Sequence, residues 1–135
     1  MSRIWSMNPR HQYSFEKLRV WQSARELARA VYLTTSKFPS GERYGLISQC
    51  NRAATSVAAN LAEGSSRRSP KDQAHFSEIA YGSLMELACL LVLSCDIGVL
   101  SLEAEDKLRS LIEQESSQIN ALRHNQRSRQ ANLNN

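Results

Sequence analysis

SPKDQAHFSEIAYGSLMELACLLVLSCDIG, residues 69–98, is the stretch on which the fold turns. Ser69 is an N-cap residue by type, and Pro70 suits the first helical position because the N–H it lacks would have no intrahelical partner there. Asp72 adds a negative charge to the first turn, where the helix dipole favours it. Phe76, Ile79, Ala80, Ser83, Leu87, Leu90, Leu91 and Ser94 then recur at the three-and-four spacing of one helical face as far as Gly98. The spacing predicts a long, well-started helix.

The same period appears in three more segments, divided by Pro9, Pro39-Ser40-Gly41, the Gly64 to Pro70 loop and Gly98. Between about Phe15 and Ser36 the apolar face reads Leu18, Trp21, Ala24, Leu27, Ala28, Val31 and Tyr32. The next segment reads Leu46, Cys50, Ala53, Val57 and Leu61, with Gly64 expected to stop the helix in the left-handed conformation. The last, from about Ser101, carries Leu102, Leu108, Leu111, Ile112, Ile119 and Leu122. No segment alternates with period two, and no Asn-Gly or Asp-Gly turn joins β-branched runs. The expected fold is all-α: an antiparallel up-and-down four-helix bundle over residues 15–123, after a flexible N-terminal segment 1–14 and before a disordered polar tail 124–135.

With 135 residues the chain has room for one domain and one core, and its 41% hydrophobic and 22% charged residues fit a folded chain. The first ten residues contain no apolar core before a small-residue cleavage site, which points to the cytoplasm rather than secretion. The most apolar stretch free of charge runs from Leu87 to Cys95, well short of the roughly 20 residues that span a bilayer. Cys50, Cys89 and Cys95 form no Cys-x-x-Cys pair and lie in apolar patterns, so they read as small buried hydrophobes and not as disulfides or zinc ligands.

Chemistry-bearing patterns are weak. Gly41-Glu-Arg-Tyr-Gly45 lacks the Gly-Lys-Ser/Thr ending of a phosphate loop. His75 and Glu78 share a helical face but stand alone, whereas a di-iron bundle needs two such units and further carboxylates. No serine sits in a nucleophile elbow. The reading is therefore non-enzymatic, with no metal and no cofactor. Asn60, Glu63, Gly64, Gly82 and Ser83 read as structural: Asn60 bonding across to a neighbour, Glu63 accepting from amides at the Ser69 helix start, and the small residues allowing close helix approach. Residues 53–62 hold no charge on any face. A helix uncharged all round is expected to be covered all round, so this one is assigned a subunit interface, with a tightly packed monomer as the alternative.

Charge is uneven. Residues 1–71 carry a net +8, residues 72–122 a net −7 and the last thirteen +3, and thirteen of the 17 cations are arginine, which grips phosphate bidentately. Lys17, Arg19, Arg25, Arg29, Arg52, Arg67 and Arg68 are the candidate nucleic-acid contacts. Charge alone equally permits the basic half to pair with the acidic half of its own or a neighbouring bundle.

Phe15-Glu-Lys-Leu-x-Val-Trp21, Val31-Tyr32, Phe38-Pro39, Glu42-x-Tyr44-Gly-Leu46, Gln49, Arg52-Ala-Ala54, Ser56-Val57, Asn60-Leu-Ala-Glu63-Gly64 and Ile79-Ala-x-Gly-Ser-Leu-x-Glu-Leu87 resemble the bacterial four helix bundle protein family over about residues 15–122. That family includes proteins encoded in intervening sequences of large-subunit ribosomal RNA genes, and it is similar to the accessory variability protein of diversity-generating retroelements. The resemblance implies a ring-like pentamer without enzymatic activity. For the retroelement relatives it implies binding of RNA or DNA and of a reverse transcriptase through a basic surface. Asp72, Glu78, Glu86, Asp96, Glu103, Glu105 and Asp106 give this chain an acidic side that such an accessory would lack. The expected function is an oligomeric, cytoplasmic nucleic-acid-binding accessory with no membrane contact. The alternative is an oligomeric scaffold or adaptor that binds a protein partner.

Overall fold

A computed structural model describes residues 10–135, and among them there are four long helices and no strand. Helix α1 is Arg19–Thr35, α2 Ser48–Ser65, α3 Pro70–Asp96 and α4 Leu102–Leu133. They form an antiparallel bundle in which α2 lies between α1 and α3, and α4 closes the square against α3 and α1. The expected flexible segment 1–14 falls mostly outside the described residues. Its described end leads into a 3-10 turn, Ser14–Lys17, that precedes α1.

The helix starts follow from their residues. The Asp72 amide donates to Ser69 Oγ at 3.1 Å and the Ala104 amide to Ser101 Oγ at 3.1 Å, so each cap satisfies an otherwise orphaned donor. Glu103 and Glu105 in the first turn of α4 complement its dipole. Before α2 the chain passes through a 3-10 turn, Ser40–Glu42, and a π-helical turn, Arg43–Ile47, kinked at Gly45. The glycine-flanked loop is thus wound into the helix approach. Gly98 takes a φ of 84° and ends α3 region in the left-handed conformation. Gly64 does not: it lies inside α2, where a Cβ would come within 2.9 Å of Phe76 Cβ. Its small size serves the approach of α2 to α3, not a chain reversal.

The core is built from Ala24, Leu27 and Val31 of α1, Ala53, Val57 and Leu61 of α2, Ala80, Leu84, Leu87 and Leu91 of α3, and Leu108, Ile112 and Ile119 of α4. Four residues of the expected faces turn outward: Leu18, Tyr32, Ile79 and Leu102 are exposed. α3 is long and apolar enough by composition to cross a membrane, yet its Ala80, Leu84, Leu87 and Leu91 are core residues of the bundle. Its outer side leaves Ile79, Met85, Val92 and Leu93 exposed. Cys50 is buried, and burial pushes its thiol up to about 11. Cys89 is exposed on the outer side of α3, against the expectation that all three cysteines are buried.

The motif residues act partly as expected. Ser56 Oγ and Ser83 Oγ join α2 to α3 at 2.8 Å. Asn60 reaches no neighbouring helix: its Nδ2 donates back to the Ser56 carbonyl and hydroxyl at 2.9 and 3.1 Å, which orients the serine pair. Glu63 accepts from Arg67, four residues on, rather than from the amides of α3. Nothing lies within 4 Å of a Cβ placed on Gly82, which is exposed. The charge-free stretch of α2 keeps Thr55 and Ala59 exposed within one chain.

Two polar features of α4 escaped the apolar pattern. The helix continues to Leu133, where a disordered tail from residue 124 was expected. Buried Gln126 accepts from Ser77 Oγ at 2.8 Å, which anchors the extension on α3. Glu115 occupies a core position with no exposure, and neither of its carboxylate oxygens has a partner. Burial raises its pKa from 4.5 to about 8, because the charged form is the one desolvation penalises. The unfolded chain releases this proton near pH 4.5 and the folded chain near pH 8, so between those values the folded state binds more protons and stability falls as pH rises. Glu115→Leu removes that slope in urea titrations between pH 5 and 8 and raises stability at pH 8 by on the order of 3 kcal/mol. An unchanged slope contradicts the buried acid.

Candidate nucleic-acid interface

One end of the bundle collects the start of α1, the end of α2, the start of α3 and the end of α4. Lys17, on the turn before α1, borders a crevice of about 700 Å³ shared with Ala62, Glu63, Ser65 and Ser66 at the end of α2. Arg67 Nη2 donates to Glu63 Oε2 at 2.8 Å, and its guanidinium lies 4.7 Å from the Phe76 ring centroid. Arg68 and Lys71 follow, both exposed. The extended α4 brings in three more arginines. Arg129 Nη2 donates to Gln73 Oε1 at 2.8 Å, while Gln73 Nε2 donates to the Arg67 carbonyl at 2.9 Å, so the end of α4 is linked to the α2–α3 loop. Arg123 donates to Glu78 Oε1 at 2.7 Å, Arg127 donates to the same oxygen, and the Arg123 guanidinium covers the Tyr81 ring at 4.7 Å.

The seven candidate cations therefore separate. Lys17, Arg67 and Arg68 gather at this end. Arg25 and Arg29 edge a groove of about 570 Å³ between α1 and α2, whose walls are mainly Trp21, Ala28, Tyr32, Leu33 and Ala58. Arg19 borders a separate crevice with Glu26 and Gln114 of α4. Arg52 donates to Glu86 of α3 at 3.1 Å, so part of the basic half does pair with the acidic half within one chain. Lys71, Arg123, Arg127 and Arg129 were missing from the sequence reading. The +3 charge of the last thirteen residues was visible, but it was assigned to a tail without structure.

The side chains at this end are mainly basic. Guanidinium groups held by carboxylates or amides present their remaining N–H donors in a fixed orientation, which suits bidentate contact with phosphate. Acidic side chains crowd the opposite end, where exposed Asp96, Glu103 and Asp106 flank the α3–α4 connection. Among the described residues no group of three or more His, Cys, Asp or Glu could hold a metal ion. Glu78, half of the weak His75 pair, is occupied by arginines instead.

The family model described as 23S rRNA-intervening sequence protein matches residues 16–121. The chain belongs to this family. No curated protein matches it. In this family member the matched region stops short of Arg123, Arg127 and Arg129, so the arginines that complete the basic end lie beyond the shared part of the chain.

Glu78→Ala leaves both Arg123 and Arg127 without their carboxylate and lowers stability by about 1 kcal/mol. Circular dichroism then loses helical signal from the last part of α4. Unchanged stability and helix content would show that the extension holds without the ion pairs.

Proposed function

We propose that this member of the 23S rRNA-intervening sequence protein family is a non-enzymatic, homo-oligomeric accessory protein of the cytoplasm that binds nucleic acid through its basic end. The observation that carries the reading is the convergence of Lys17, Arg67, Arg68, Lys71 and Arg129, from four separate parts of the chain, on one end of a rigid bundle. Such an end attracts phosphate without reading sequence.

Assembly has its own support. The outer side of α3 exposes Ile79, Met85, Val92 and Leu93, and Glu86 and Asp96 are exposed on the same helix. The α1–α2 groove is apolar and rimmed by Arg25 and Arg29. The two surfaces match in polarity and are opposite in charge, and they lie on different sides of the bundle. A second copy seated through them makes a head-to-tail contact, the kind that generates a ring when its rotation closes. A ring-like pentamer, as the family resemblance implies, is the closed form. The same groove also favours a second reading, a scaffold or adaptor that seats an apolar helix of another protein, such as a reverse transcriptase.

Fluorescence anisotropy of labelled RNA and DNA across a salt series separates the two readings. Contact with about five phosphates gives a slope of log K against log salt near −3.5 for single strands. In the Lys17→Ala/Arg68→Ala variant the slope becomes shallower by about 1.4. Absence of binding at about 50 mM salt contradicts the nucleic-acid reading and leaves the adaptor. Light scattering that finds only a 15.2 kDa particle contradicts the assembly.

A further inference from the structure

Beside the basic end the segment before α1 carries a run of aromatic rings. His11 meets Tyr13 edge-on with ring centroids 5.3 Å apart, Tyr13 stacks on Phe15 at 5.6 Å with an interplanar angle of 5°, and Phe15 meets Trp21 at 4.9 Å. Tyr13 is 60% exposed, an unusual position for a ring that an apolar core could have taken. The segment is nevertheless fixed. The Tyr13 amide donates to Glu16 Oε1 at 2.9 Å, and Gln22 Nε2 donates to the Glu16 carbonyl at 2.9 Å. Tyr13 and Phe15 border the same crevice as Lys17, with the end of α2 on its other side.

A flat ring open to solvent, held by neighbours and set beside cations has a specific use. It stacks on an unpaired base while the cations hold the adjoining phosphates, and it offers nothing to a duplex, whose bases are already stacked. Resting on the nucleic-acid reading above, we infer that the ligand of the basic end is single-stranded, with an unpaired base stacked on Tyr13 in the crevice between the 14–17 turn and the end of α2. Phosphates on either side of that base reach Lys17 and the Arg67-Arg68 loop. Because Tyr13 is exposed and its backbone makes the bond to Glu16, replacing the ring leaves the bundle intact.

The test compares a short labelled oligothymidylate with a duplex of equal length, on the full chain and two variants. Wild type binds the single strand more tightly than the duplex. Tyr13→Ala weakens single-strand binding by roughly 5- to 100-fold, with the salt slope, duplex binding and urea midpoint unchanged. Tyr13→Phe keeps the ring and binds as wild type does. If Tyr13→Ala binds the single strand as wild type does, or wild type binds duplex as tightly as single strand, the stacking inference is overturned while the basic end stands. If wild type binds neither, both readings fail.

Discussion

Glu78 accepts hydrogen bonds from Arg123 and Arg127, one turn apart on α4, at the point where α4 would otherwise outrun its apolar face. Between those two arginines Gln126 accepts from Ser77, and beyond them Arg129 donates to Gln73. These polar contacts hold the last turns of α4 along the first turns of α3. The shape of the basic end depends on them, because without the extension Arg129 would not reach Gln73, which bonds in turn to the Arg67 carbonyl of the α2–α3 loop. Exposed ion pairs individually contribute little. Here one carboxylate serves two arginines, and a buried amide locks the register.

The rest of the bundle fixes the position of this end. Gly64 lets α2 approach Phe76 of α3, and Phe76 in turn supports the Arg67 guanidinium. The Ser69 cap then starts α3 at once, so Arg67, Arg68 and Lys71 follow one another across a short loop. At the opposite end the Ser101 cap and the acidic first turn of α4, with Glu103 and Glu105, start the last helix.

The fold was legible wherever an apolar period or a cap carried it. Ser69, Pro70, Asp72 and Gly98 marked α3, and Ala24, Leu27, Val57, Leu61, Leu108 and Ile112 fell on core faces as read. What was lost had a polar cause. Glu115 and Gln126 fill core positions of α4 that a pattern counting only apolar residues passes over, and with Gln126 uncounted the expected helix ends near Leu122. With α4 cut short, Arg123, Arg127 and Arg129 had no place in the candidate site. Ile79 and Tyr32 fall at helical spacing, where an apolar side chain is assigned to the core, but both face outward. Tyr13 was overlooked because it precedes the first periodic helix, where a ring has no pattern to belong to.

Amide hydrogen exchange of the full chain, with and without a single-stranded oligonucleotide, tests the central claim most directly. If these three parts of the chain meet at one nucleic-acid-binding end, added protection falls together on residues 10–17, 63–73 and 123–133. Protection that appears instead around residues 96–109, or on only one of those three segments, contradicts the account.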